Sequence, residues 1–184
     1  MKKLSVAPVD LLRSLALLAA MALVTPATVW AQQKFKVSPP DPGAVTKYTE
    51  QHVFDVGDIS GHQIRIASLY TKNSDKAGEY DGVRSVETSA WLSSDYVNGS
   101  GRFTSYGVTL MANGDKVFSR AEGLSQTTVG TDGARKTSYS TVSTLTGGTG
   151  RFATLRGVSR ASGLTDFKTG TTNGTSEGEY WFDK

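Results

Sequence analysis

The sequence predicts an all-β protein, an eight-stranded antiparallel β-barrel behind a cleavable N-terminal leader. Three observations predict it. After the first fifty residues, no ten-residue window places apolar side chains at helical spacing. β-Branched and aromatic residues alternate there with Ser, Thr and charged residues. Gly-containing turn sequences break this alternation every ten to fifteen residues. Short antiparallel strands must close or stack to hide their edges, so a barrel is the natural outcome.

Residues 1–31 read as a secretory signal peptide. Lys2, Lys3 and Arg13 supply the positive end, and Leu11 to Val24 is almost purely Leu, Ala, Val and Met. Pro26 breaks any helix, and Val29-Trp30-Ala31 offers small residues at the −3 and −1 positions of a cleavage site after Ala31. The apolar run is shorter than the roughly 20 residues that span a bilayer, so no membrane span is expected after cleavage. The expected address is therefore the periplasm or the exterior.

Residues 32–51 hold Pro39, Pro40 and Pro42 with little periodicity and read as an extended lead-in. The barrel domain is expected over 52–184, with strands near 52–57, 62–72, 84–97, 102–112, 115–128, 135–146, 157–167 and 176–183. The breaks between them are Asp58 to Gly61, Asn73 to Gly82, Asn98 to Gly101, Asn113-Gly114, Gly130 to Gly133, Gly147 to Arg156 and Gly170 to Gly174. Asn98-Gly99-Ser100 and Asn173-Gly174-Thr175 match the glycosylation acceptor pattern, but turn chemistry explains them.

Asn113-Gly114 is the sharpest of these signals, because Asn-Gly accepts positive φ at both centres of a two-residue type I′ turn. Such a turn pairs Leu110 with Val117, Val108 with Ser119 and Tyr106 with Ala121. The other face then collects Phe103, Ser105, Phe118, Arg120 and Glu122, with Gly107 opposite Arg120 leaving room for a ligand. These five are the candidate ligand-binding residues of the lumen. The competing expectation makes theirs the outer face, with Tyr106, Val108, Leu110 and Val117 filling the barrel; a period of two does not choose between them.

Composition excludes several chemistries. The chain has no Cys, which removes disulfides, thiolate metal sites and cysteine nucleophiles. The leader takes three basic residues and one acidic one with it, so of 20 basic and 17 acidic side chains 17 and 16 remain, a net +1. No basic block is left for nucleic acid or for an anionic membrane. No G-x-S-x-G elbow accompanies the abundant Ser. His52, Asp55, Asp58 and His62 have the side chains of a metal site, yet they read as solvated residues that cap and bend the first hairpin; no metal is expected.

Gly148-Thr149-Gly150-Arg151-Phe152-Ala153 matches G-x-G-x-x-A, but the helix a dinucleotide site needs has no room before Gly157. The favoured reading is a tight turn in which Gly147, Gly148 and Gly150 are structural while Phe152 and Leu155 plug the barrel end.

Thr144-Leu145-Thr146-Gly147-Gly148-Thr149-Gly150-Arg151-Phe152, continuing to Arg156-Gly157, resembles the late-strand motif of the allene oxide cyclase and dirigent-protein barrel superfamily. Gly114-Asp115-Lys116-Val117-Phe118, with Arg120 and Gly123, is similar to the preceding hairpin of small bacterial members. Asp58-Ile59-Ser60-Gly61-His62 resembles their first turn. The similarity covers about residues 52–183. It implies an eight-stranded barrel, often trimeric, that uses no metal or organic cofactor. The plant cyclase's pocket Cys is missing here, and neither its carboxylate nor the dirigent acid and arginine map onto particular residues. Fold carries over on such a resemblance; activity does not.

Two functions follow as expectations. The first is a noncatalytic exported barrel that binds or shields a hydrophobic small molecule, or assembles with itself as a homotrimer or homodimer. The second is a cofactor-free cyclase, isomerase or dirigent-type enzyme holding a reactive substrate in its lumen. Orientation alone can supply up to roughly 7–11 kcal/mol, so sparse catalytic groups do not exclude the second.

Overall fold

The computed structural model describes residues 32–166 and 171–184; the expected leader lies outside them. The strands are β1 (Phe35–Lys36), β2 (Val45–Asp55), β3 (His62–Lys72), β4 (Glu79–Tyr80), β5 (Val83–Val97), β6 (Ser100–Met111), β7 (Lys116–Val129), β8 (Arg135–Gly148), β9 (Leu155–Asp166) and β10 (Thr171–Phe182). Strands stand near each of the eight expected places, because period-two alternation is a direct imprint of the pleat. The first, however, begins at Val45, inside the expected lead-in of residues 32–51, rather than near residue 52. The expected break at Gly170 to Gly174 begins on residues outside the description, and Asn173 and Gly174 lie within β10, paired with Leu164 and Gly163.

One antiparallel sheet runs β1-β10-β9-β8-β7-β6-β5-β3-β2, with β4 paired to β5. It does not close into the expected barrel: the ladder ends at β1 and β2. The lead-in supplies the physical reason. Phe35 pairs with Tyr180 and Lys36 with Glu179, and the Val37 amide donates to the Gly178 carbonyl at 3.0 Å. The lead-in thus takes the β10 edge that β2 would need for closure. Among the described residues β2 pairs with β3 alone, and it is exposed along its whole length.

The core lies at one end of the sheet. Met111, Val117, Leu145, Phe152, Leu155 and Tyr180 are buried together there, with Phe35, Val37, Tyr80, Val83 and Phe182 packed around them. Tyr180 organises the aromatic part. Phe35 stacks on it at 5.1 Å between ring centroids, Tyr80 meets it edge-on at 5.2 Å, and its hydroxyl accepts from the Asp81 amide at 3.0 Å. Phe152 and Leu155 do plug this end, held by the 3₁₀ turn Gly150–Phe152.

The Asn-Gly pairs at 98–99 and 113–114 behave differently. Asn98 (φ +53°) and Gly99 (φ +81°) form the two-residue turn, with Val97 paired directly to Ser100. At Asn113-Gly114 the expected two-residue turn is instead a three-residue loop. The Gly114 amide donates to the Met111 carbonyl, the Met111 amide donates to the Asp115 carbonyl, and Gly114 alone of the loop takes positive φ, at +86°. Neighbours dictate the change. The Ala112 amide is drawn to the Arg84 carbonyl at 2.9 Å, and the Asp115 carboxylate accepts from Asn113 and from the Arg151 amide. A Cβ on Gly114 would meet open space, so Gly114→Ala tests backbone strain alone. A loss of about 1–2 kcal/mol is expected in urea denaturation; an unchanged midpoint would contradict the left-handed conformation.

Candidate functional site

The extra loop residue shifts the β6–β7 register by one, which exchanges the faces of β7. The pairs are Thr109 with Val117, Gly107 with Ser119, Ser105 with Ala121, Phe103 with Gly123, Tyr106 with Arg120 and Thr104 with Glu122. The five candidate residues are therefore not brought together. Phe103 and Ser105 point to the inner face, the face that carries the core. Phe118, Arg120 and Glu122 share the outer face with Tyr106, which is 63% exposed, and Arg120 and Glu122 are exposed as well. Gly107 faces Ser119 rather than Arg120.

The corrected register reveals a segregation of charge. On the outer face β3 and β5–β10 carry Lys72, Glu87, Asp95, Arg102, Lys116, Arg120, Glu122, Arg156, Arg160, Glu177 and Glu179. Between the strand ends, the inner positions of these strands are apolar, small or hydroxyl-bearing, with Arg65 the one charge among the described residues. Large inner side chains lie across glycines of the next strands. A Cβ on Gly123 would stand 2.6 Å from the Phe103 ring, and one on Gly163 2.6 Å from the Tyr139 hydroxyl. These glycines let two aromatic rings lie flat on the sheet, and burial pushes the Tyr139 phenol pKa up. Toward the core the inner face ends in a cavity of about 230 Å³ lined by Ser38, Asp41, Asn73, Ser85, Thr88 and Thr109, among others.

Sequence reasoning missed Arg65 and Ser94, which are cross-strand partners on this inner face. Ser94 is 3% exposed and its hydroxyl has no hydrogen-bond partner; the Arg65 Nε is likewise buried and unpartnered. Arg65 donates from Nη2 to the Gln63 side-chain Oε1 at 2.7 Å, and Gln63 Nε2 donates to the Asp55 carboxylate at 2.9 Å. Arg65 forms no ion pair among the described residues. Its phase was legible: in His62–Lys72 it shares parity with Ala67 and Leu69, not with the outward positions.

The histidines do not meet. His52 pairs with Ile66 across the ladder and hydrogen-bonds Glu50. His62 stands between two carboxylates, with Nδ1 2.6 Å from Asp58 and Nε2 2.8 Å from Asp95. Only the imidazolium donates from both nitrogens, so hydrogen bonds to Asp95 and then Asp58 raise the His62 pKa. The Asp58 carboxyl is lowered by the His62 hydrogen bond and by the Ile59 amide, as a turn cap would be. A raised folded-state pKa gives stability that is complete below about pH 6.5, the unfolded value, and lost as pH rises through the folded value. The melting temperature of the native chain should therefore fall relative to His62→Gln as the pH rises above about 6.5. Parallel curves for the two proteins would refute this.

No known family model, curated protein or solved structure matches the chain.

Proposed function

We propose that the protein is exported and acts without catalysis, binding or shielding a small, mostly apolar molecule on the inner face of its sheet. The observation that carries this is the segregation of charge, which leaves an inner surface of apolar, glycine and hydroxyl side chains beyond the small core. Such a lining with a few placed polar groups is what small-molecule sites present. The resemblance of the Gly147–Phe152 turn to the cyclase and dirigent superfamily supports descent from that group of proteins. Export is supported by the leader pattern of residues 1–31.

Mass spectrometry of the protein from its own compartment tests all of this together. The expected polypeptide begins at Gln32. Under native conditions its mass should carry a discrete small-molecule increment that denaturation releases. A chain beginning at Met1 would end the export reading. A ligand-free protein that also fails to bind the neutral apolar dye N-phenyl-1-naphthylamine would end the binding reading.

Self-assembly is a second reading, favoured by β2. Among the described residues no strand pairs with its outer edge, and Val45, Tyr48, Val53 and Phe54 are exposed on it. Unpaired edges of this length invite a further strand. The native mass reports the subunit number directly, and a monomer at micromolar concentration would exclude it.

A further inference from the structure

We infer that Arg65 and Ser94 hold the anionic head, a carboxylate, of the molecule bound on the inner face. The inference rests on the binding reading above and adds the chemistry of the ligand. Among the described residues Arg65 carries the one positive charge at a mid-strand inner position, and no carboxylate of theirs pairs with it. A guanidinium has donors only and stays charged at any physiological pH, so a buried Nε without an acceptor is a standing deficit. The neighbouring Ser94 hydroxyl, 3% exposed, has the same deficit on the adjacent strand.

Two donors side by side, one of them cationic, match the two oxygens of a planar carboxylate. A neutral carbonyl or a water would occupy the donors but leave the charge uncompensated. Gln63 holds the guanidinium through its Oε1, which accepts from Nη2, while its own Nε2 donates to Asp55. The neighbourhood also suits an apolar body. Phe103 continues the same cross-strand row beyond Ser94, and Ala67 and Leu92 form the adjacent inner row. Phe103 lies over Gly123, away from the Arg65 side, which leaves its ring face toward the interior. The ligand class is thus a carboxylate on a flat or narrow apolar skeleton.

The test compares 2-naphthoate with its neutral isostere 2-naphthamide, titrated calorimetrically at pH 7 into the chain from Gln32 to Lys184. The native protein should bind the carboxylate at least tenfold more tightly than the amide. Arg65→Met should bring naphthoate down to the affinity of the amide while leaving the amide unchanged, and Ser94→Ala should weaken naphthoate a few-fold. Equal affinity for both probes in the native protein would overturn the anion site while sparing the binding reading, and that comparison needs no variant to fold. A tenfold preference that survives Arg65→Met would place the anion elsewhere and also overturn it. Binding of neither probe would remove the inner-face site altogether.

Discussion

Replacing Phe152 with Ala is expected to destabilise the 32–184 unit by about 3–5 kcal/mol, the usual cost of emptying a buried aromatic site. For a unit of this size that is a fall in melting temperature of roughly 6–20 °C. Phe152 is fully buried, at 0% exposure, among Met111, Val117, Leu145, Leu155 and Tyr180. Among the described residues these few side chains are the buried core cluster, so neighbours that could collapse into the gap are scarce. The turn that delivers Phe152 is equally rigid. The Phe152 amide donates to the Thr149 carbonyl at 3.0 Å, and the Lys116 amide donates to the Thr149 hydroxyl at 2.9 Å. Gly148 passes against the Lys116 carbonyl, where a Cβ would clash. Gly150 takes φ +52° beside the Asp115 carboxylate. Phe152→Leu keeps most of the volume and should lose less than half as much stability. A loss below about 1 kcal/mol for Phe152→Ala would mean the end of the sheet is not the core.

The same turn shows what could be read from sequence and what could not. Glycines spaced around Phe152 announced a tight turn and a plug, and both are present, because positive φ and close backbone approach leave glycine as the only economical residue. The strands were legible for a similar reason: alternation follows from the pleat and needs no tertiary context. Faces were not. Asn113-Gly114 and Asn98-Gly99 are the same dipeptide, yet one forms a three-residue loop and the other a two-residue turn. The difference comes from Arg84 and Arg151, residues remote in sequence that bind Ala112 and Asp115. One residue of slip then moved Phe118, Arg120 and Glu122 to the outer face and split the expected site. The phase of the charges would have caught it. Arg120, Glu122 and Lys116 share one parity of β7, and the other holds only Val, Ser, Ala, Gly and Thr from Val117 to Thr127. Closure was illegible too, since nothing in three prolines and little periodicity says that the lead-in lies along an edge strand.

That lead-in carries the second large effect. A chain beginning at Ala44 should be less stable than one beginning at Gln32 by about 3–4 kcal/mol, or roughly 6–16 °C in melting temperature. The apolar part dominates. Phe35 stacks on Tyr180 and Val37 packs on the same cluster, and both are partly buried, so each contributes near the lower end of about 1.5–3 kcal/mol. Removing them also uncovers Tyr180 and the β10 edge. The ionic contacts add little: Lys34 lies 2.9 Å from Glu179, but both are more than half exposed. Asp41 contributes more specifically. Its carboxylate accepts from the Ser74 hydroxyl at 2.6 Å, the Ser74 amide at 2.7 Å and the Gly43 amide at 2.9 Å. Burial pushes its pKa up, yet these hydrogen bonds outweigh burial and hold it below 3.8. A lowered carboxylate pKa gives stability that is present above about pH 3.8 and lost as pH falls through the depressed value. The gap between the two chains should therefore narrow in acid without vanishing, because the apolar contribution does not titrate. Phe35→Ala alone should account for about half of the gap at neutral pH, and Asp41→Asn for about 1 kcal/mol or less after solvent screening. A truncated chain that melts within 2 °C of the longer one would show that the lead-in only rests on the sheet.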